Sequence, residues 1–504
     1  MLNDILLQMK SMVFDKILCN NMLSFENNEY YNEMLRALNY AESAGDALIN
    51  IFSKTITCAL TLAGVSYTIG SINLFVVFFI ILLMLLSNEC MKKSNQMWFD
   101  YQQMERLPRV RFINYISTLF SNKDFVSEIK INNANAFAKG IVSDKTIENA
   151  NYEAKKDSER FRWNFLAIVL NSLHQISSNV YFLILLFKNI ISFATYSTLI
   201  AAIQTFSSNF AQLLGLTVDI RNKVKEAEFF IKFLDDSSYA YAGKKEIKEF
   251  NNIILTNVKL KYPHQSNYAL DGISMEIKKG DKIAIVGLNG SGKTTLIKIL
   301  MGLYPKDSGE IFINNEKIEN IFIESWFKKI AVVFQKSFHL PIEINKDIAL
   351  SETIDLNLLE NSIKFVELNH IVDNLPFGYD TIISKKFDEY GQDFSGGEKQ
   401  KISIARAYYK NADILIFDEP SSALDANSEY NLFKQIEKLG KEKTVIYISH
   451  RLSAVVNAEK IYFIENGKIA ESGSHRELLD KKGKYWELFV KQASNYVHGG
   501  VKNV

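Results

Sequence analysis

The run Gly287-Leu-Asn-Gly-Ser-Gly-Lys-Thr-Thr295 gathers glycines, hydroxyls and a lysine into one short stretch. Glycines let the backbone fold so that successive N–H groups converge, which makes a cradle for an anion. The apolar run Lys282–Val286 ahead of it reads as a strand, and Leu296–Met301 behind it reads as an apolar helix face. Strand, glycine loop and helix in that order build the phosphate-binding loop, where the helix N-terminus adds partial positive charge. In that role Gly287, Asn289, Gly290, Ser291, Gly292 and Thr295 wrap the phosphates. Lys293 reaches the β- and γ-phosphates, and the Thr294 hydroxyl ligates Mg2+. The competing reading, a glycine-rich structural turn, leaves both flanks unexplained.

Further residues suit the same chemistry. Ile414–Pro420 is an apolar strand ending in two carboxylates. A buried strand delivers acids to the edge of an α/β sheet where ligands bind. Asp418 is suited to hold the magnesium shell, and Glu419 to orient or deprotonate an attacking water. Gln335 follows the strand Ala331–Phe334, where a neutral amide can touch both magnesium and that water. His450 closes the strand Thr444–Ser449; its place at a strand end favours contact with a γ-phosphate over a packed core histidine. Phe394-Ser-Gly-Gly-Glu-Lys-Gln400 supplies a second glycine turn before a helix at Lys401–Tyr409. Its backbone N–H groups, the Ser395 hydroxyl and the helix start make another anion cradle. One domain has no evident need of two.

The elements that must position these residues occupy the second half of the chain. From 251 to 497, short β-rich runs (Ile253–Val258, Ile283–Val286, Ile330–Val333, Ile414–Phe417, Val445–Ile448, Ile461–Ile464) alternate with helical stretches, the pattern of an α/β domain. A mostly polar linker covers 237–250, and 498–504 is a short tail. The first half differs in kind. Charge-free runs cover Thr55–Asn88, Trp163–Phe187 and Asn189–Val218. They predict a membrane domain over 1–236 with spans near 50–69, 71–88, 163–187 and 190–218, and a charged helical loop over 89–162. That loop is rich in Lys and Arg while the turns near 70 and 188 are not, so both termini and the loop belong on the cytoplasmic side. Asn171, His174, Gln175 and Ser178 share one helical face, as do Gln204, Ser208 and Gln212. Such faces serve either a polar substrate path or hydrogen bonds between helices.

Composition narrows the rest. A net charge of +1 gives no electrostatic case for nucleic acid. Cys19, Cys58 and Cys90 lack metal-ligand spacing and read as reduced, packed thiols. No cleavable signal peptide is visible.

Gly287–Thr295, Gln335, Phe394–Gln400, Asp418-Glu419, Ser421-Ser-Ala-Leu-Asp425 and His450 occur in the order and spacing of an ABC transporter ATPase, and the resemblance covers 251–497. It implies ATP and Mg2+ as cofactors and explains the second cradle. In that family two such domains associate head to tail, and the turn bearing Ser395, Gly396, Gly397 and Glu398 closes over the ATP on the partner's phosphate loop. The resemblance also places Tyr262 where an aromatic stacks on adenine, and Asp425 in the loop crossing between sites. Taken alone, Tyr262 reads as an ordinary strand-end aromatic. Phe394 and Glu398 depart from the family's leucine and glutamine.

The expected architecture is therefore an α-helical membrane domain of about four spans, followed by an α/β P-loop ATPase domain of ABC type. It resembles the exporter half-transporters, which work as homodimers or heterodimers among membrane lipid. The charged loop resembles their second cytoplasmic loop, with a short crosswise helix at Ser127–Ala138 pressing into the partner's ATPase; Phe25–Tyr31 resembles the first loop. Against that pattern the chain begins where a second span is ending, so two helices are missing. The stretches Phe25–Tyr31 and Ser127–Ile131 look most like those of bacterial exporters of modified peptides, with lipids or hydrophobic drugs as other substrates. No peptidase-like domain precedes the spans. The rival expectation is a membrane-anchored, non-transporting ATPase subunit or a truncated remnant, needing another chain for the missing helices.

Overall fold

A computed structural model describes residues 2–70, 74–236, 241, 243–419, 431, 434–435, 443–449, 455–456 and 458–497. The chain divides into two compact units, Met1–Cys19 with Asn28–Ser237, and Asn20–Asn27 with Ser238–Val504.

The first unit is helical: α1 (Leu2–Cys19), α2 (Asn28–Gly70), α3 (Leu74–Asp100), α4 (Leu107–Leu119), α5 (Lys123–Ile131), α6 (Asn135–Phe187) and α7 (Phe193–Asp235). Helix α2 packs chiefly on α7, and α3 on α6. The seam is apolar, with Ile80, Met84, Phe182, Leu199, Ile203 and Phe206 buried together. Phe52, Leu60 and Phe187 point outward at 70%, 70% and 78% exposure, as side chains meant for lipid do. Among the described residues, three helices are long and apolar enough to cross a membrane: Ala47–Thr68 within α2, and α6 and α7. The run expected as a span at 71–88 begins in residues outside the description and continues into α3. Helix α6 has 53 residues, a rod of about 80 Å at 1.5 Å per residue. It runs on through the charged stretch 135–162 and the apolar stretch after it without a break.

The crosswise helix expected at Ser127–Ala138 lies earlier, at Lys123–Ile131. Asn122 fixes its start by accepting from the N–H groups of Asp124 and Phe125, at 2.8 and 3.2 Å. Asn133, at φ 51°, turns the chain so that α6 begins at Asn135. A π-helical turn at Tyr101–Arg106 precedes Pro108, where a proline ring would crowd an ordinary helical turn. The polar faces divide. His174 and Ser178 are buried, while Gln175, Gln204, Ser208 and Gln212 are exposed. His174 Nδ1 and Ser178 Oγ have no hydrogen-bond partner, so neither bonds across helices through that atom.

The second unit contains two sheets. Strands β1 (Asn252–Leu260), β2 (Leu270–Lys278), β4 (Ser308–Ile313) and β5 (Glu316–Lys317) form an antiparallel sheet in the order β2-β1-β4-β5. Strands β3 (Lys282–Val286), β6 (Ile330–Val333), β7 (Ile414–Asp418), β8 (Thr444–Ile448), β9 (Lys460–Glu465) and β10 (Lys468–Gly473) form the other, in the order β10-β9-β3-β8-β7-β6. Only the β9–β10 pair is antiparallel. β7 and β8 are buried at every residue, as a parallel sheet covered on both faces requires. The stretch expected as a polar linker at 237–250 contributes to the domain instead: Tyr241, Ile247 and Phe250 are buried, and Phe250 meets Trp326 with ring centroids 5.9 Å apart.

Candidate nucleotide site

The parallel sheet puts the ends of β3, β6, β7 and β8 side by side, so the loops leaving them converge. After β3, Gly287, Gly290 and Gly292 have φ of 154°, 77° and 107°, which a side chain disfavours. Two of them are also crowded. A Cβ on Gly287 would lie 2.2 Å from the Ile464 carbonyl oxygen, and one on Gly292 2.6 Å from that of Ala269. Helix α8 (Lys293–Leu300) starts at once, so its unpaired N–H groups face the loop. Lys293 is buried, and its Nζ donates to the carbonyls of Gly287 at 3.0 Å and Leu288 at 2.9 Å. Burial pulls this ammonium below the usual lysine range, against the upward pull of Glu419 and Asp418. Asn289 and Thr294 are exposed at the loop surface.

A nucleotide phosphate fits these residues. Ser291 Oγ is buried with no hydrogen-bond partner in the protein, an orphan that an anionic ligand would satisfy. Mg2+ fits as well. Burial, and then the adjacent Glu419 carboxylate, push Asp418 up to about 6, and a cation would relieve both.

Glu419 follows β7 in a left-handed conformation, φ 52°, with its N–H donating to Ile448 of β8 at 3.1 Å. For a residue other than glycine that backbone is strained, and such strain gathers at functional sites. It turns the side chain to Gln335, whose Nε2 donates to Glu419 Oε2 at 2.7 Å. Gln335 is exposed just beyond β6. The two residues expected to handle attacking water thus meet from the ends of neighbouring strands.

The helix Gly396–Tyr409 begins five residues earlier than the expected Lys401. Ser395 is its N-cap in a capping box with Glu398. Ser395 Oγ accepts from the Glu398 N–H at 3.3 Å, and the Glu398 carboxylate accepts from the Ser395 N–H at 2.7 Å. That internal bond takes the Ser395 N–H out of the anion cradle and leaves the Gly396 and Gly397 N–H groups and the Ser395 O–H for a phosphate. Phe394, the departure from leucine, is buried in the core. Tyr262 is half-buried, with its hydroxyl 3.0 Å from Thr295 Oγ1 and its ring edge-on to Tyr304. His450 and Asp425 lie outside the described residues.

Sequence reasoning missed a buried charge network beside the site. Asp347, fully buried on the short helix Ile344–Ala349, accepts from Arg406 Nη2 of the helix Gly396–Tyr409 at 2.7 Å and lies 2.8 Å from His339 Nδ1, four residues beyond Gln335. Burial works against its charge, yet His339 and Arg406 hold Asp347 below the usual carboxylate range. The network ties the Gln335 loop to the helix that follows Ser395. No local pattern announces it, because its members lie far apart in the chain.

Residues 270–422 match the family described as ABC transporter. An ATP-dependent lipid A-core flippase of Saccharophagus degradans is 34% identical over 359 residues, covering 70% of this chain and 59% of its own length. The chain thus spans about three fifths of the length of that relative. The subtilin transport ATP-binding protein SpaT of Bacillus subtilis is 28% identical over 488 residues, 94% of this chain and 77% of its own. The structure of a bacterial Atm1-family ABC exporter with ATP bound superposes at TM-score 0.76 and 21% identity, covering 98% of this chain and 86% of that one. That likeness bears on fold, and it extends through helices and sheets alike. The family match takes in the phosphate loop, Gln335, the Ser395 turn and both carboxylates, and among the described residues three helices ahead of it are long and apolar enough to cross a membrane, so the chain joins a helical membrane-spanning region to an α/β ATP-binding domain of ABC type, in the fold of an ABC exporter.

Proposed function

We propose that the chain is a half-transporter. Two copies, or this chain and another half-transporter, associate head to tail and hold two ATP molecules between them. Closure and hydrolysis switch the membrane helices from inward- to outward-facing and export a substrate across the cytoplasmic membrane. The observation that carries this reading is the Gln335–Glu419 contact of 2.7 Å at the ends of β6 and β7, in a domain preceded by helices able to cross a membrane. Lys293 and the loop N–H groups bind the phosphates. Glu419 takes the proton of the attacking water while Gln335 holds its carboxylate in place. The partner's Ser395–Gly397 turn closes the site, and Asp425, His450 and Tyr262 complete it against the partner, the γ-phosphate and the base. Mg2+ on Thr294, Gln335 and Asp418 would supply charge neutralisation of the phosphates. A peptide is the substrate favoured by the Phe25–Tyr31 and Ser127–Ile131 stretches, and a relative named for subtilin transport aligns along 94% of the chain.

The test is reconstitution of the full chain in liposomes. Candidate peptides should stimulate ATP hydrolysis and accumulate on the far side. Glu419→Gln should keep ATP binding and dimer closure while turnover drops by about 100-fold or more, the scale of a lost general base. Full activity in that variant would remove Glu419 from its role. Hydrolysis that no peptide or lipid stimulates, with no accumulation, would favour the non-transporting ATPase.

A further inference from the structure

Contacts between α3 and α6 pair rising residue numbers on one helix with falling numbers on the other: Ser87 with Ala167, Lys93 with Trp163, Trp98 with Arg160. The two helices are therefore antiparallel, and their charge-free runs stop at one level. The first basic residues beyond that level are Lys92 and Lys93 on α3 and Arg162 and Arg160 on α6. Two indoles stand there as well. Lys93 Nζ lies 4.3 Å from the Trp163 ring centroid, and the Arg160 guanidinium carbon 4.4 Å from that of Trp98, so each helix lends a cation to the other's ring. Tryptophan and basic side chains gather where hydrocarbon gives way to headgroups, and the positive-inside bias makes this the cytoplasmic leaflet. Ion pairs use only part of the charge. Glu89 holds Lys92 at 2.6 Å and Asp157 holds Arg160 at 3.2 Å, each within its own helix. Lys93 and Arg162 are exposed and make no ion pair, and neither indole N–H meets an acceptor, among the described residues. On the hydrocarbon side of this level Phe165, Leu166 and Ile168 are exposed.

We propose that Lys93 and Arg162, with the indoles of Trp98 and Trp163, bind the headgroup of an anionic phospholipid in the cytoplasmic leaflet. Two cations without counter-ions at headgroup level attract an anion, and the indole N–H groups want an acceptor; a phosphodiester supplies both. The exposed apolar side chains next to them suit acyl chains, which a soluble phosphate lacks. Because both cations are already exposed, little desolvation opposes the contact. A headgroup held from both helices would fasten α3 to α6 where the pair leaves the bilayer. The inference depends on where the helices sit in the membrane, and not on ATP hydrolysis or on the identity of any cargo.

Quenching of tryptophan fluorescence tests this on the full chain in phosphatidylcholine nanodiscs that carry a rising fraction of phosphatidylglycerol, brominated near the headgroup end of its chains. Of the four tryptophans, Trp326 and Trp486 belong to the ATPase unit, which leaves Trp98 and Trp163 to report on lipid. Phosphatidylglycerol should quench at a mole fraction about 25-fold lower than phosphatidylcholine brominated at the same position, since each cation near the leaflet is worth about fivefold. Lys93→Gln combined with Arg162→Gln should erase that difference, and 1 M NaCl should shrink it. Millimolar glycerol phosphate should leave the quenching unchanged. Equal quenching by the two lipids on the unaltered chain overturns the proposal, and that comparison needs no variant to fold. So does a preference that survives the double substitution, or rings that neither lipid quenches, which protein must then cover. Reversal by glycerol phosphate overturns it too, in favour of a site for a soluble phosphate ester.

Discussion

Asp418→Asn should make the empty protein more stable. Asp418 is 6% exposed, and burial, then Glu419, raise it from 3.8 to about 6. In the folded state the carboxyl holds its proton to a higher pH than in the unfolded chain. Between pH 4 and 6 the folded form thus binds more protons, and stability falls as pH rises through that window. About two pK units at 1.36 kcal/mol each put the loss near 3 kcal/mol at most by pH 8. Asparagine has nearly the same shape and no charge, so it escapes that loss. For a domain of this size 1 kcal/mol moves Tm by about 2–4 °C, and the variant should melt roughly 5 °C above the natural sequence at pH 8. The gap should close towards pH 4. The assay is thermal melting of the full chain in detergent with EDTA and no nucleotide, read as Tm because a two-unit protein is not two-state. With Mg2+ and ATP the order should reverse, since only the carboxylate gains from the cation. A gap that is independent of pH, or an asparagine variant that melts lower throughout, would refute the reasoning.

Three other outcomes follow from contacts already described. Gly287→Ala should abolish nucleotide binding, because its Cβ would lie 2.2 Å from a backbone oxygen, whereas Gly290→Ala has open space around it and should cost only about 1–2 kcal/mol of backbone strain; titration with a fluorescent nucleotide separates the two. Glu398→Gln should leave melting and ATPase rates nearly unchanged, since glutamine also closes a capping box, while Ser395→Ala should lower stability by about 1 kcal/mol and ATPase activity far more. Arg406→Met leaves Asp347 buried without its guanidinium partner and should destabilise the ATPase unit by about 3–5 kcal/mol, visible as a large drop in Tm.

What the sequence displayed and what it hid follow from burial. β3, β7 and β8 are covered on both faces, so each is a short apolar run that stands out from its surroundings. β2, β4 and β10 alternate buried or half-buried with exposed residues and carry charge, and they escaped notice. The motif residues were legible because loop chemistry is local: Gly287–Thr295 needs only its own glycines, and Asp418 only its strand. The pairing of Gln335 with Glu419 was expected in role, yet the bond between them depends on β6 lying next to β7. Asp347 and Arg406 could not be found in this way, since their association joins parts of the chain 59 residues apart. The start of α5 was misplaced for a smaller reason, the capping and turning asparagines at 122 and 133.

The length of α6 sets how movement must be carried within the helical unit. Its 53 residues contain no proline, and its one glycine, Gly140, lies near the start, so no joint interrupts the shaft. A stiff bar about 80 Å long that pivots by 5° sweeps its tip through roughly 7 Å. A sidechain-sized push at the charged end therefore arrives at the apolar end undiminished, without any need for the helix itself to bend or melt.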